Sequence, residues 1–238
     1  MFSYLFNQFI FLILNAINEP LYSLERIVNT YEKVTHSITL NLDRLLRKEL
    51  IKIINKEPII DVGSGTGALV EELNKLRPGM YIVMLEPIEG YIRILKNKFR
   101  SYNFEIVRAF AEYLPFRQAS FEFLMSGFML RDSMDLKSAI KNFKNISKNI
   151  LILDFWKPDN CIVLFLELLY MYTFMPLLVA IHDPKNLKYY LTIPKTVLRV
   201  PKFKYLIKIF EKSEIQSVKK WFGGIFFLLY VKPIDLSK

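Results

Sequence analysis

The sequence predicts a doubly wound α/β fold built on one mostly parallel sheet of seven strands, and three observations carry that prediction. The apolar run Ile59-Ile60-Asp61-Val62 leads into Gly63-Ser64-Gly65-Thr66-Gly67, a turn with three alternating glycines, and then into a helical pattern from Ala68 to Leu76. Short apolar runs go on alternating with helical patterns as far as Phe155, the rhythm of a parallel sheet covered on both faces. Two further strand patterns, Ile215 to Trp221 and Ile225 to Val231, are joined by Phe222-Gly223-Gly224.

Strand, glycine turn and helix at Pro58–Leu76 form the start of a βαβ unit, which binds a nucleotide-like cofactor at the carboxyl end of its first strand. Glycines suit the turn because a Cβ would block close approach of backbone to ligand. Asp61 stands where a strand-end carboxylate meets a cation or a hydroxyl. The second strand runs from Tyr81 to Glu86, with the helix Ile88 to Phe99 after it. Phe104 to Ala109, Phe121 to Gly127 and Asn149 to Phe155 are the next strands, with a helix from Met134 to Ile146 before the last of them. Glu86, followed by Pro87, ends the second strand, where a carboxylate can accept hydrogen bonds from both ribose hydroxyls of an adenosine cofactor. Read as Gly63-x-Gly65-x-x-Ala68, the turn also meets the relaxed dinucleotide fingerprint.

Length and composition bound the reading. A chain of 238 residues holds one α/β domain with a substantial core, and 52% hydrophobic residues exclude a disordered chain. The single cysteine, Cys161, excludes an internal disulfide and fits a reducing cytoplasm. The two histidines, His36 and His182, lie far apart in sequence, so no metal site is expected. A net charge of +10 favours anionic partners: nucleic acid, an anionic membrane surface or an acidic substrate. The lysines are spread along the chain without an arginine-rich arm or a nucleic-acid motif, so no nucleic-acid partner is expected.

Met1 to Ile17 is almost wholly apolar, but it lacks a basic n-region and a cleavage site and is short for a membrane span. It reads as a helix packed on the domain or a partner, or as one lying in a membrane interface. Glu19 to Lys56 reads as two helices, the second from Leu40 to Ile54 with apolar residues at helical spacing. Cys161 to Ile181 carries one charge, Glu167, in 21 residues and passes as a membrane span on hydropathy alone. Topology opposes that reading, because a single span would strand the last two strands across the membrane from the rest of the sheet. A lone acid near the centre would also add about 2.5 kcal/mol or more. The stretch is therefore expected as a buried or partly exposed helix, broken near Pro176, that walls an apolar substrate site or packs as core. Asp183 to Pro201 is expected as a loop and short helix, and Lys202 to Lys212 as the helix before the sixth strand.

Ala111-Glu112-Tyr113-Leu114-Pro115-Phe116, after the third strand, resembles the Ala-Glu-x-Leu-Pro-Phe signature of the class I S-adenosylmethionine (SAM) methyltransferases. Asp61-x-Gly63-x-Gly65-x-Gly67 is similar to their motif I, and Ser120-Phe121-Glu122-Phe123 to their S-F-D lead-in to the fourth strand. Gly127-Phe128-Met129-Leu130-Arg131-Asp132 with Asp135 resembles the F-G-L-R-N-x-x-D run of the ubiquinone/menaquinone biosynthesis C-methyltransferases. Asp154-Phe155-Trp156-Lys157-Pro158 resembles that family's E-F-S-K-P, and Tyr31-Glu32 with Arg44 its Y-D … H-R-x-W segment. The likeness runs from about Tyr31 to Pro233. Against the pattern, Phe110 replaces an acid before Ala-Glu, Asp132 replaces Asn after the arginine, Asp43 replaces a histidine, and His36 replaces an acid.

The resemblance implies a Rossmann-like class I methyltransferase whose seventh strand is antiparallel, with an N-terminal helical cap over 1–56 and a SAM-binding domain over 57–238 that carries an apolar helical insertion at about 160–201. It implies SAM as cofactor and S-adenosylhomocysteine (SAH) as product, held by Asp61, Gly63, Ser64, Gly65, Gly67, Glu86, Pro87, Ala111, Glu112 and Ser126. The implied reaction is carbon methylation of a prenylated quinol or similar lipid-soluble aromatic. Such a ring is electron-rich only with a phenol deprotonated, so a base or a charge-stabilising network should lie beside it. Arg131, Tyr31, His36 and Asp132 are the catalytic candidates, with the arginine limited to stabilising a phenolate or orienting a water. The expected partners are a small apolar or aromatic substrate, a membrane touched peripherally from the cytoplasm, and in one reading a second copy of the chain. Methyl transfer to another small molecule or to RNA, a non-catalytic SAM-binding partner subunit, and a dehydrogenase stay open at this point. Apolar or basic walls around the acceptor discriminate between a lipid-like ring and RNA.

Overall fold

The computed structural model describes residues 21–100 and 104–234; the apolar segment 1–17 lies outside them. Seven strands form one sheet: β1 (Ile59–Val62), β2 (Ile82–Leu85), β3 (Phe104–Val107), β4 (Phe121–Gly127), β5 (Ser147–Phe155), β6 (Ser213–Trp221) and β7 (Phe226–Pro233). Their order is β3-β2-β1-β4-β5-β7-β6. The first five run parallel, and β7 is antiparallel to both of its neighbours. From β1 the chain moves outward to β3 and then returns to the other side of β1 as β4. That reversal opens a crevice beyond the carboxyl ends of β1 and β4, where ligands bind in open α/β sheets.

The sequence sets this layering locally. All four residues of β1 and of β2 are buried, as expected of strands covered on both faces. Successive side chains face opposite layers. Ile60 and Val62 pack on the side of Ile140 and Phe143 from α5 (Leu136–Ile146), after α3 (Ala68–Leu76) and α4 (Glu89–Lys98). Ile59 packs on the other side, with Leu69 and Leu73 of α3 and Leu95 of α4.

Between β5 and β6 lie α6 (Cys161–His182), α7 (Leu187–Tyr190), α8 (Ile193–Arg199) and α9 (Phe203–Ile209). Asn160 caps α6, its side chain accepting from the backbone N–H groups of Ile162 and Val163. The expected break at Pro176 does not occur: α6 is continuous across it. A proline removes only its own N–H from the helical ladder. Met171, Met175 and Val179 hold the helix on both sides of Pro176, in a cluster with Ile27 and Val34. The indole N–H of Trp156, a fully buried residue at the start of this insertion, donates to the Pro201 carbonyl near its end at 2.7 Å.

The N-terminal cap also departs from the two expected helices. Three helical pieces are present among the described residues: 21–26, α1 (Tyr31–Ile38) and α2 (Leu42–Ile51). Thr30 marks the extra break, its hydroxyl bonding the Ile27 carbonyl at 3.2 Å and also Asp183, which competes with helix propagation. Asp43, fully buried on α2, fixes this cap. It bonds Arg47, Nδ1 of His36 at 2.7 Å and the Thr39 hydroxyl at 2.7 Å. Burial opposes its charge, yet Arg47, Thr39 and His36 together hold its carboxyl below the ordinary range. Its stabilising contribution is therefore present at neutral pH and lost as the pH falls through that lowered value. Asp43→Ala strands the buried Arg47 without its partner and should lower the unfolding free energy by about 3–5 kcal/mol in urea titrations at neutral pH.

Candidate active site

Two cavities meet in the crevice. The first lies on the glycine turn and is bounded by Asp61, Gly63, Ser64, Gly65, Glu86 and Pro87. The amides of Gly63 and Ser64 donate to the Leu85 carbonyl at 2.8 and 3.1 Å, which ties the turn to β2. Glu86 accepts from the Gly65 amide at 2.8 Å and the Ile88 amide at 3.0 Å. Each of its oxygens keeps a second lone pair for a ligand hydroxyl. Burial pushes the Glu86 carboxyl up to about 7. Asp61 is 1% exposed, and neither carboxylate oxygen has a hydrogen-bond partner. Burial, with Glu86 nearby, raises it to about 7 as well. Arg47 also lines this cavity and partly offsets the charge of Asp61, but it bonds neither acid, so the two buried acids form a site for a ligand that brings positive charge and hydroxyl donors.

The second cavity, of about 540 Å³, lies between the cap and the insertion. Its walls are apolar over most of their area, with Ile27, Phe155, Met171 and Phe226 among them. Leu24, Tyr31, Phe128 and Asp132 line both cavities, so a group in one can meet a group in the other across these four. Arg131 braces this partition. Its Nη1 donates to Asp154 at 2.7 Å and to the Phe128 carbonyl at 2.9 Å, and its guanidinium lies 3.8 Å from the Phe155 ring centroid. Burial works against the Arg131 charge, but Asp132 and Asp154 hold the guanidinium protonated, its value shifted upward. Burial raises Asp132 to about 6, with Arg131 opposing. Burial likewise raises the Tyr31 hydroxyl.

The predicted residues separate into groups. Asp61, Gly63, Ser64, Gly65, Glu86, Pro87, Ala111 and Glu112 all border the first cavity. Glu112 also accepts from the amides of Met134 and Asp135, at 2.8 and 3.2 Å, and so clamps the loop before α5. Phe110 lines the same cavity, half exposed. Gly67 does not border it: a Cβ there would stand 2.4 Å from Cε2 of Phe99, so this glycine serves helix packing. Ser126 is fully buried within β4 and absent from the wall, because alternation along the strand gives the cavity Gly127 instead. Arg131, Tyr31 and Asp132 come together at the second cavity. His36 does not join them. It lines a separate polar groove, and both ring nitrogens are engaged, Nδ1 by Asp43 and Nε2 by the Arg44 guanidinium at 3.1 Å.

A family model described as the ubiE/COQ5 methyltransferase family matches residues 22–228. The chain belongs to that family. The methyltransferase is 27% identical over 206 residues to the demethylmenaquinone methyltransferase of Chlorobaculum tepidum, covering 82% of this chain and 83% of that one. It is 28% identical over 173 residues to the ubiquinone/menaquinone biosynthesis C-methyltransferase of Pseudomonas fluorescens, covering 67% of each. Among solved structures, a SAM-dependent methyltransferase from Thermotoga maritima has the same fold, with TM-score 0.61 at 17% identity over 90% of this chain and 99% of that one. Another from Aquifex aeolicus gives 0.54 at 15% identity, over 79% and 89%.

The methyltransferase uses SAM, and the first cavity fits it. The unpartnered carboxylate of Asp61 suits a cationic group, Glu86 suits the ribose hydroxyls, and an added Cβ on Gly65 meets nothing within 4 Å. Sequence reasoning missed Phe128 and Leu24 in the shared wall and Glu167 in the second cavity. The signal for Glu167 was available: it is the one charge in an otherwise apolar helix. Two substitutions separate the glycine roles. Gly67→Ala should lose about 2–5 kcal/mol of stability, overpacking against Phe99 adding to the strain of a left-handed backbone. Gly65→Ala should lose only the roughly 1–2 kcal/mol of left-handed backbone strain, yet calorimetry should show SAM binding weakened far more than in the first variant.

Proposed function

We propose that the methyltransferase transfers a methyl group to a ring carbon of a prenylated quinol of the demethylmenaquinol type. The observation that carries this reading is the apolar second cavity sharing Leu24, Tyr31, Phe128 and Asp132 with the cofactor cavity. Its size falls within the usual range for a site that encloses a small organic ligand. Apolar walls favour a lipid-soluble ring over RNA. The names of the relatives from Chlorobaculum tepidum and Pseudomonas fluorescens, a demethylmenaquinone methyltransferase and a quinone-biosynthesis C-methyltransferase, agree.

The chemistry that SAM supplies is an already activated methyl group. The protein must make the ring carbon nucleophilic and keep water away. Asp132, ionised above about pH 6, takes the proton of the nearest ring hydroxyl at a carboxylate oxygen. Arg131 stays cationic and stabilises the phenolate. Once the ring carbon carries the methyl group, its C–H proton leaves to solvent. The ring oxygen recovers its proton from Asp132, which restores the aromatic quinol. Tyr31 orients the ring from the shared wall. His36, held by Asp43 and Arg44, belongs to the cap rather than to this set.

The same reading places the enzyme on the cytoplasmic face of a membrane. Leu40, Leu166 and Phe222 line the second cavity and are also more than half exposed, forming an apolar mouth. Beside it α6 exposes Ile162, Phe165, Leu169, Tyr172 and Leu177. By length and composition α6 is the one helix among the described residues able to cross a membrane. The insertion leaves from β5 and returns as β6 of the same sheet, which favours a helix lying on the bilayer. We assign this face to lipid rather than to a second copy of the chain.

With labelled SAM, label should enter the quinone fraction of a chemically reduced lipid extract and not of the oxidised control. Asp132→Asn should lower kcat by about 10²–10⁴-fold, and wild-type kcat/KM should rise between pH 5 and 7 as Asp132 ionises. Bound SAM without transfer into any reduced quinone would sink the reading. Replacing Phe165 and Leu169 by glutamate should reduce co-sedimentation with anionic vesicles while leaving SAM affinity unchanged.

A further inference from the structure

Glu167 lies on the face of α6 that turns toward the second cavity, 4% exposed, among Met171, Met175 and Val179. Neither of its carboxyl oxygens has a hydrogen-bond partner. Among the described residues no cation offsets it, and burial pushes its carboxyl up to about 8. At neutral pH the group is therefore mostly protonated and both donates and accepts a hydrogen bond.

Several other polar groups in the same walls are already engaged, Arg131 through side-chain hydrogen bonds from its Nη1 alone. The Tyr170 hydroxyl donates to the Ile38 carbonyl at 2.7 Å, and those of Thr192 and Thr196 donate to the carbonyls of Tyr189 and Ile193 at 2.7 and 2.9 Å. Thr39 serves Thr35 and Asp43. Arg131 serves Asp154 and the Phe128 carbonyl. Glu167 differs from these in having no role in holding the fold. A buried polar group without a partner is costly, and a ligand that supplies the partner removes the cost. Asp132 stands in the wall shared with the cofactor cavity, whereas Glu167 borders the second cavity alone. One apolar cavity thus carries two carboxyl groups, one beside the cofactor and one away from it.

We propose that Glu167 recognises the ring oxygen of the acceptor that lies away from the cofactor, and so makes the cavity selective for a ring bearing two oxygens. This rests on the quinol reading above. The carboxyl O–H donates to that oxygen, while the ring hydroxyl donates to the carboxyl carbonyl. A site built on such a pair discriminates against an analogue that lacks the hydroxyl, because the protein group is then left buried and unpaired.

The test uses the full chain loaded with SAH, under anaerobic conditions. The probes are a short-chain prenylated 1,4-naphthohydroquinone and the matching prenylated 1-naphthol, and calorimetry reads both affinities. Wild type should prefer the dihydroxy ring by about tenfold or more. Glu167→Leu should abolish that preference by weakening the hydroquinone alone, and Glu167→Gln, which still donates and accepts, should retain most of it. In turnover, Glu167→Leu should raise KM for the hydroquinone with little change in kcat. Both variants remove a buried, unpartnered acid, so SAH affinity should be unchanged. If Glu167→Leu keeps the wild-type preference, the proposal is overturned and the quinol reading stands. If SAH-loaded wild type binds neither probe, the quinol reading itself falls, and the role of Glu167 with it. Loss of SAH binding in both variants would assign Glu167 to the fold and likewise overturn the proposal.

Discussion

The buried pair between Arg131 and Asp154 is the interaction on which the site depends. Asp154 ends β5, and Arg131 belongs to the 3₁₀ turn that follows β4. One carboxylate takes both the guanidinium, at 2.7 Å, and the Arg131 amide, at 3.2 Å. The turn after β4 is thereby fastened to the neighbouring strand at the crevice. Its neighbours in the turn, Phe128 and Asp132, are two of the four residues that separate the cavities. Arg47 of the cap lies 5.2 Å from the Phe128 ring centroid on the other side. Cap, sheet and insertion thus converge on a partition held by charge inside an apolar surround, where loss of one partner is far more damaging than absence of the whole pair.

Electrostatics of the two cavities follow one pattern. Asp61 and Glu86 in the first and Asp132 and Glu167 in the second are all shifted upward, and burial is the leading cause for each. They differ in what surrounds them. Glu86 is already held by two backbone amides and Asp132 by Arg131, whereas Asp61 and Glu167 have no hydrogen-bond partner among the described residues. The partnered acids shape the site, and the unpartnered ones are the places where a ligand completes it.

Much of this was legible in the sequence because it is local. The glycine turn, the acids at the ends of β1 and β2, the strand rhythm and the Phe222-Gly223-Gly224 hairpin each follow from a few adjacent residues. What sequence could not supply was direction. Ser126 and Gly127 are neighbours on β4, yet only the glycine reaches the cofactor cavity. Gly67 matches the motif as well as Gly65 does, but it faces Phe99. His36 falls near the acceptor site in chain order and is drawn into the cap by Asp43, a partner seven residues away that no short pattern announces. Pro176 breaks a helix in isolation, whereas here contacts from α1 hold both sides of it together.

The hydrogen bond from Trp156 to the Pro201 carbonyl has a wider consequence. It fastens the start of the insertion to its end, just beyond the carboxyl end of β5. The long helical excursion between them is therefore a closed cassette whose contents leave the register of β5, β7 and β6 untouched. One wall of the second cavity, including Glu167, lies within it, while every residue that lines the glycine-turn cavity lies outside it. Change in the choice of acceptor can therefore proceed by rewriting this one segment, with the cofactor half of the enzyme left as it is.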